Sequence, residues 1–177
     1  MAFQGTFWKF ASTLVGMVGL MALVACGAVA QGGSGIQPSA KLAGFLGSDI
    51  IDVVSTADRV EPFLLKPSLM PSGATGPNAV AGYDWKVRGA DLAPAQVAAF
   101  KALVLNETSY DFEIAKKCVM VPEYVFRFHA AGKSTDVLVA FGCTMWAFGS
   151  GDGQKVEDFD PVADNLRAIV ETVFKLD

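Results

Sequence analysis

Histidine and cysteine are scarce in this chain of 177 residues, which contains one histidine and three cysteines. With His129 alone, any Ser-His-Asp or Cys-His mechanism must use that one residue. With Cys26 set apart at the end of the first apolar run, Cys118, Cys143 and His129 do not fill a tetrahedral metal site without carboxylates, and no spacing here follows a zinc pattern. G-x-S-x-G, P-loop and H-E-x-x-H motifs are all absent. There is no internal repeat and no run of basic residues. Phosphate contacts need clustered Lys and Arg, so the scattered charges, with a net charge of −4, argue against nucleic-acid binding. Lys9 is the only charged residue before Cys26, so the remainder is more acidic still, at −5. An acidic surface favours solubility over adhesion to anionic headgroups.

Charge is also missing locally, from Ala11 to Ala30. That run follows Lys9 and reads as the apolar core of an export signal, from Leu14 to Ala22. It ends in Leu23-Val24-Ala25-Cys26. The tetrapeptide resembles the lipobox of bacterial lipoproteins, in which the cysteine sulfur is acylated and the chain is cut before it. The resemblance implies a signal peptide over 1–25, lipid on Cys26 and a bilayer as first partner. Gly27, where an Asp would retain the protein, implies the outer membrane in a two-membrane host. Two other readings fit the same residues. Ala28-Val29-Ala30 suits ordinary signal peptidase, which would release a secreted chain starting at Gln31. Ala11 to Ala30 is also just long enough to stay as a transmembrane helix.

Residues 26–35 are rich in Gly and Ser and read as a flexible tether. Residues 36–177 are enough for a single globular domain. Ser39 to Thr56 has helical apolar spacing, with a break at Gly47-Ser48 where Ser48 can cap a second piece. Arg59 to Lys66 predicts a strand, and Pro62 implies an edge or a bulge. Lys66 to Asn78 holds three prolines and two glycines and predicts a loop. Val80 to Val87 predicts a strand. Asp91 offers an N-cap to a helix running through Leu105 with Pro94 in its first turn. Asn106 ends that helix, and Glu107 to Lys117 forms a polar connection.

Cys118 to His129 and Ser134 to Phe148 predict two long strands around the turn Ala130-Ala131-Gly132-Lys133. Pairing them about that turn gathers Met120, Tyr124, Phe126 and Phe128 with Val137, Val139, Phe141 and Met145 on one face. The same pairing is expected to bring Cys118 opposite Cys143. A closing helix is expected from Pro161 to Phe174. Together these elements predict an α+β fold: an antiparallel sheet of about four strands with helices packed on one face.

Tyr110-Asp111-Phe112, Lys117-Cys118, Pro122, Phe126-Arg127-Phe128, Val137 to Phe141, Cys143 and Asp158 to Pro161 resemble a family of uncharacterised exported bacterial proteins. The resemblance covers the last half of the chain. It implies a two-cysteine hairpin and no catalytic residue, cofactor or metal. Outside the cytoplasm such a pair is expected to be oxidised, and closing a loop of about two dozen residues contributes about 3 kcal/mol. A redox-active pair is the alternative, although catalytic dithiols usually sit as C-x-x-C at a helix start.

The other candidates have plain structural readings. His129 flanks a turn. Gly149-Ser150-Gly151-Asp152-Gly153 lacks the alternating carboxylates of a calcium loop. Glu157, Asp158, Asp160 and Asp164 gather near the start of the last helix, whose dipole they complement. Trp85 and Trp146 are expected to pack. Arg127 is expected on the sheet face away from the apolar set, paired with Glu123 or an acidic residue across the hairpin, or else binding an anionic ligand. The expected function is a membrane-tethered, non-enzymatic interaction or structural module with an envelope partner; the opposing expectation is a redox factor or other enzyme using Cys118 and Cys143.

Overall fold

A short glycine marks the first decision of the fold. Ser39 caps helix α1 (Ala40–Leu46), its hydroxyl accepting from the Leu42 amide at 3.2 Å. Gly47 then turns the chain with φ of +81°, and α2 (Ser48–Thr56) restarts beyond it. The break falls at Gly47-Ser48 as expected, but Gly47 occupies the cap and Ser48 lies inside the helix. The structure, a computed structural model, describes residues 36–149 and 153–175. The signal, Cys26 and the tether therefore lie outside the described residues. No helix among the described residues is long and apolar enough to cross a membrane.

The sheet has seven strands, all paired antiparallel, so the expectation of about four is corrected. They are β1 (Arg59–Leu65), β2 (Ala79–Val80), β3 (Tyr83–Arg88), β4 (Tyr124–Ala130), β5 (Lys133–Ala140), β6 (Met145–Phe148) and β7 (Lys155–Asp158), in the order β2-β3-β1-β4-β5-β6-β7. Two of the extra strands arise where apolar runs hide turns, and the third, β7, is a mostly polar stretch that apolar patterning does not mark. Ala81 and Gly82 both take positive φ, +52° and +82°, the geometry of a tight hairpin turn between β2 and β3. The expected strand from Ser134 to Phe148 is broken at Phe141–Thr144, where Thr144 takes φ of +48°.

Pro62 does not mark an edge: β1 lies between β3 and β4. Its missing N–H falls where β3 has already ended, and its carbonyl accepts from Gly89 N at 3.0 Å. The bulge lies further on, between Leu64 and Leu65. A side chain at position 89 would meet Val173 Cγ1 at 2.9 Å and Pro62 Cγ at 3.0 Å, so only glycine fits there.

Helix α3 (Pro94–Val104) is capped by Ala93, whose amide donates to the Gln96 side chain at 2.9 Å. Asp91 is not the cap. Pro94 sets the first helical φ three residues later, and Asp91 pairs with Arg88 instead. Asn106 caps a single 3-10 turn, Glu107–Ser109. Asp160–Val162 forms another such turn before α4 (Ala163–Phe174).

All four helices place their buried residues against one face of the sheet. Leu42, Leu46, Val53, Val54, Phe100, Val104 and Leu166 meet Phe126, Phe128, Val137, Val139, Trp146 and Phe148 there. Ring contacts knit that layer, with Phe100 lying 4.7 Å from Phe126 and Tyr110 4.6 Å from Trp146. A smaller cluster of Phe63, Leu65, Val80, Tyr83, Val125, Leu138 and Ala147 occupies the other, outer face.

Candidate functional site

Alternation along the strands decides what the outer face carries. With Tyr124, Phe126 and Phe128 turned to the helices, Val125, Arg127 and His129 point outward. The corresponding positions of β1 are Arg59, Glu61 and Phe63, and those of β5 are Ser134, Asp136 and Leu138. Three strands thus bring a set of charged groups together beside the small apolar cluster.

Arg127 and Asp136 are direct cross-strand partners, and their side chains meet at two points. Arg127 Nε lies 2.7 Å from Asp136 Oδ1, and Nη2 lies 2.8 Å from Oδ2. Such a fork holds both charges in fixed geometry. Asp136 is 6 % exposed, and Arg127 is the cation that meets it there. The acidic residue across the hairpin is therefore Asp136. Glu123 instead accepts from the Phe141 amide at 3.3 Å.

His129 is not a freely solvated turn residue. Its Nε2 lies 2.6 Å from Glu61 Oε2, and its side chain is only 24 % exposed. Glu61 also receives Arg59 Nη1 and Arg88 Nη2, each at 2.8 Å. Burial alone would raise its carboxyl, but hydrogen bonds from Arg88 and His129 and the charge of Arg59 outweigh it and hold Glu61 at about 2. Glu61 is thus ionised at neutral pH, which makes His129 Nε2 the donor. Ser134 stands directly across the hairpin from His129, without a hydrogen bond between them. The arrangement has an oriented imidazole and no activated nucleophile.

Beside these pairs lies a groove of about 750 Å3. Met70, Pro71 and Gly82 form one wall, and Arg127, Thr135 and Asp136 form the other. Arg127 reaches this groove already matched by Asp136. Among the described residues no three His, Cys, Asp or Glu side chains gather closely enough to hold a metal ion.

Cys118 and Cys143 lie at disulfide-bonding distance, with Cα atoms 6.3 Å apart. Their setting differs from the expected one. Regular β4–β5 pairing stops at Tyr124↔Val139, and in that register the position opposite Cys118 is Met145. Cys118 lies in the coil before β4, and Cys143 lies in the turn between β5 and β6. They meet because that turn folds the chain back. Cys118 is exposed and Cys143 half-buried, so neither is part of an apolar strand face.

The expected acidic cluster divides. Glu157 and Asp158 belong to β7, and only Asp164 lies in the first turn of α4. Asp158 is 2 % exposed and pairs with Lys116 at 2.7 Å; Asp160 pairs with the same ammonium at 2.8 Å. Burial disfavours that ammonium, yet the two carboxylates keep its pKa above the ordinary lysine value. Lys116 also donates to the Cys143 carbonyl at 2.9 Å and contacts the Thr144 hydroxyl. Trp146 is fully buried, and Trp85 packs 6.1 Å from Phe63. Ser150, Gly151 and Asp152 lie outside the described residues.

Glu61, Asp136 and Lys116 were the residues sequence reasoning missed as structural partners. A periodic signal existed for the first: Arg59 and Glu61 share the strand face that also takes Arg127 and His129. Lys116 had none, since its partners lie 27 residues or more away. Comparison with known proteins gives no match to a protein-family model, a curated protein or a solved structure.

Proposed function

We propose that the protein is a bacterial envelope lipoprotein, anchored through lipid on Cys26, whose head acts as a non-enzymatic interaction or structural module. The observation that carries this reading is Leu23-Val24-Ala25-Cys26 at the end of an uncharged apolar run, followed by a Gly-rich tether. The head supports it in two ways. Its other two cysteines lie at bonding distance, as suits an oxidising compartment, leaving Cys26 for acylation. Arg127, His129 and Lys116 are each held in fixed pairs, by Asp136, by Glu61 and by Asp158 and Asp160, which leaves these three groups little freedom for catalysis. In a two-membrane host, Gly27 favours the outer membrane.

Intact-mass spectrometry of protein taken from its native membrane tests the address. The expected species begins at Cys26 and carries a diacylglyceryl group. An N-terminus at Gln31, or an uncut Met1, overturns it.

One observation favours a second reading, a thiol/disulfide redox factor: Cys118, one end of the Cys118–Cys143 pair, is exposed. Thiol counting and electron-transfer assays separate the two. Turnover with an oxidised or reduced protein substrate supports the redox factor; a bridge that never passes its electrons on supports the module.

A further inference from the structure

The segment from Phe112 to Pro122 wraps the far end of the sheet. It leaves β7 where Asp111 N donates to Asp158 O at 3.2 Å, and it enters β4 where Glu123 N donates to Val139 O at 2.9 Å. Between those points no backbone–backbone hydrogen bond joins it to another described residue. Glu113, Ile114, Ala115, Lys117, Cys118 and Val119 are all exposed. Such a stretch belongs to the low-stability part of a fold.

Side chains and one covalent bond hold it instead. At one end Phe112 stacks on Tyr110 with ring centroids 5.3 Å apart. At the other end Met120 packs on the outer apolar cluster. Between them come the exposed Lys41–Glu113 pair at 3.5 Å, Lys116 in its pairs with Asp158 and Asp160, and the Cys118–Cys143 bridge. Phe112 to Lys116 stand over Met145 of β6 and Val156 of β7, across a cavity of about 380 Å3. The strap therefore stands over the outer end of the last two strands, and the one covalent link in its middle is exposed at Cys118.

We propose that this strap is a thiol-controlled latch: a dithiol reductant opens the Cys118–Cys143 bridge and frees the strap while the sheet stays folded. A reductant thiolate attacks the sulfur of Cys118, the exposed residue of the pair. The Cys118–Cys143 bond breaks, Cys143 leaves as a thiolate and takes a proton, and a mixed disulfide forms on Cys118. The second thiol of the reductant then attacks its own bonded sulfur and releases Cys118. Two electrons and two protons pass from the dithiol to the pair, and the reductant leaves as a disulfide. The remaining core does not depend on this link, because neither cysteine belongs to either apolar cluster. The latch stands whether or not Cys26 carries lipid.

Trypsin reports the state of the strap, since Lys116 and Lys117 lie in its middle. The purified chain is digested under native conditions with and without dithiothreitol, and cleavage after each lysine is followed by mass spectrometry. Lys86 and Lys133, on β3 and β5, serve as reference sites. Cleavage after Lys116 and Lys117 is expected to accelerate about tenfold or more on reduction, while the reference sites change by less than about twofold. The Cys118→Ser/Cys143→Ser variant should reproduce the fast cleavage without reductant. Unchanged cleavage, equal acceleration at every site, or a bridge that resists the dithiol in the native protein overturns the latch.

Discussion

On the helix side of the sheet, β4 presents Tyr124, Phe126 and Phe128; on the outer side the same strand presents Val125, Arg127 and His129. The first set joins a layer of aromatic and aliphatic side chains. The second set joins a few apolar residues and a lattice of charge pairs around Glu61 and Asp136. The difference follows from what covers each face. Four helices seal the inner one, where an ion would lose its hydration without a matching partner. The outer face is only partly covered, by the β2–β3 turn, so charges keep some contact with water and tolerate burial in pairs. One strand thus carries two kinds of stabilisation in alternate residues. The inner kind rests on apolar burial, and the outer kind also on charge.

The largest expected effect tests the inner side. Phe126 is fully buried and meets Phe100 edge-on at 4.7 Å. Phe126→Ala should cost about 3–5 kcal/mol in equilibrium urea unfolding, because the cavity adds to the lost burial. Val125→Ala, one residue along on the outer face, should cost clearly less. Equal losses would break the comparison, since they would mean the outer cluster is as tightly packed as the inner.

Next comes the Arg127–Asp136 fork. Asp136→Asn keeps the shape but leaves Arg127 with half its partner, and a loss of about 2 kcal/mol is expected. The double variant Arg127→Met/Asp136→Leu should recover most of that loss, to within about 1 kcal/mol of the parent. A double variant as unstable as the single one would show that the pair contributes net stability, and the outer face would then rest on its charges rather than merely tolerate them.

Much of this division was readable in the sequence, and the failures have identifiable causes. The alternation of β4 was plain because Phe126 and Phe128 bracket Arg127, and that placed Arg127 outward correctly. The helices α2, α3 and α4 followed from their apolar spacing. What escaped was short-range geometry hidden by apolar composition. Val80 to Val87 contains a hairpin turn at Ala81-Gly82, and Phe141-Gly142-Cys143-Thr144 turns between two strands with strand-like residues on both sides. The fused strand also misplaced the cysteines, which meet through that turn and not across the ladder. The candidate site was legible in half of its members. Arg127 and His129 stand out as single residues, but their partners depend on strand order. Glu61 reaches His129 only because β1, distant in sequence, inserts beside β4.

The smallest effect, and the most direct test of the outer face, is its response to acid. Glu61 is held at about 2, against an ordinary value of 4.5. A carboxyl lowered on folding adds stability that is fully present above its unfolded value and is lost as pH falls through the folded one. The contribution of Glu61 should therefore fade between 4.5 and about 2. Its partners Arg59 and Arg88 are 46 % and 41 % exposed, so solvent screens the pairs and the expected contribution is about 1–2 kcal/mol. Glu61→Gln should lose that amount at neutral pH and lose less on further acidification, so that the two unfolding curves converge at low pH. Phe126→Ala should instead run parallel to the parent across the same acid range, because the burial it removes carries no charge. A Glu61→Gln curve parallel to the parent would place the acid sensitivity elsewhere and remove the electrostatic half of the comparison.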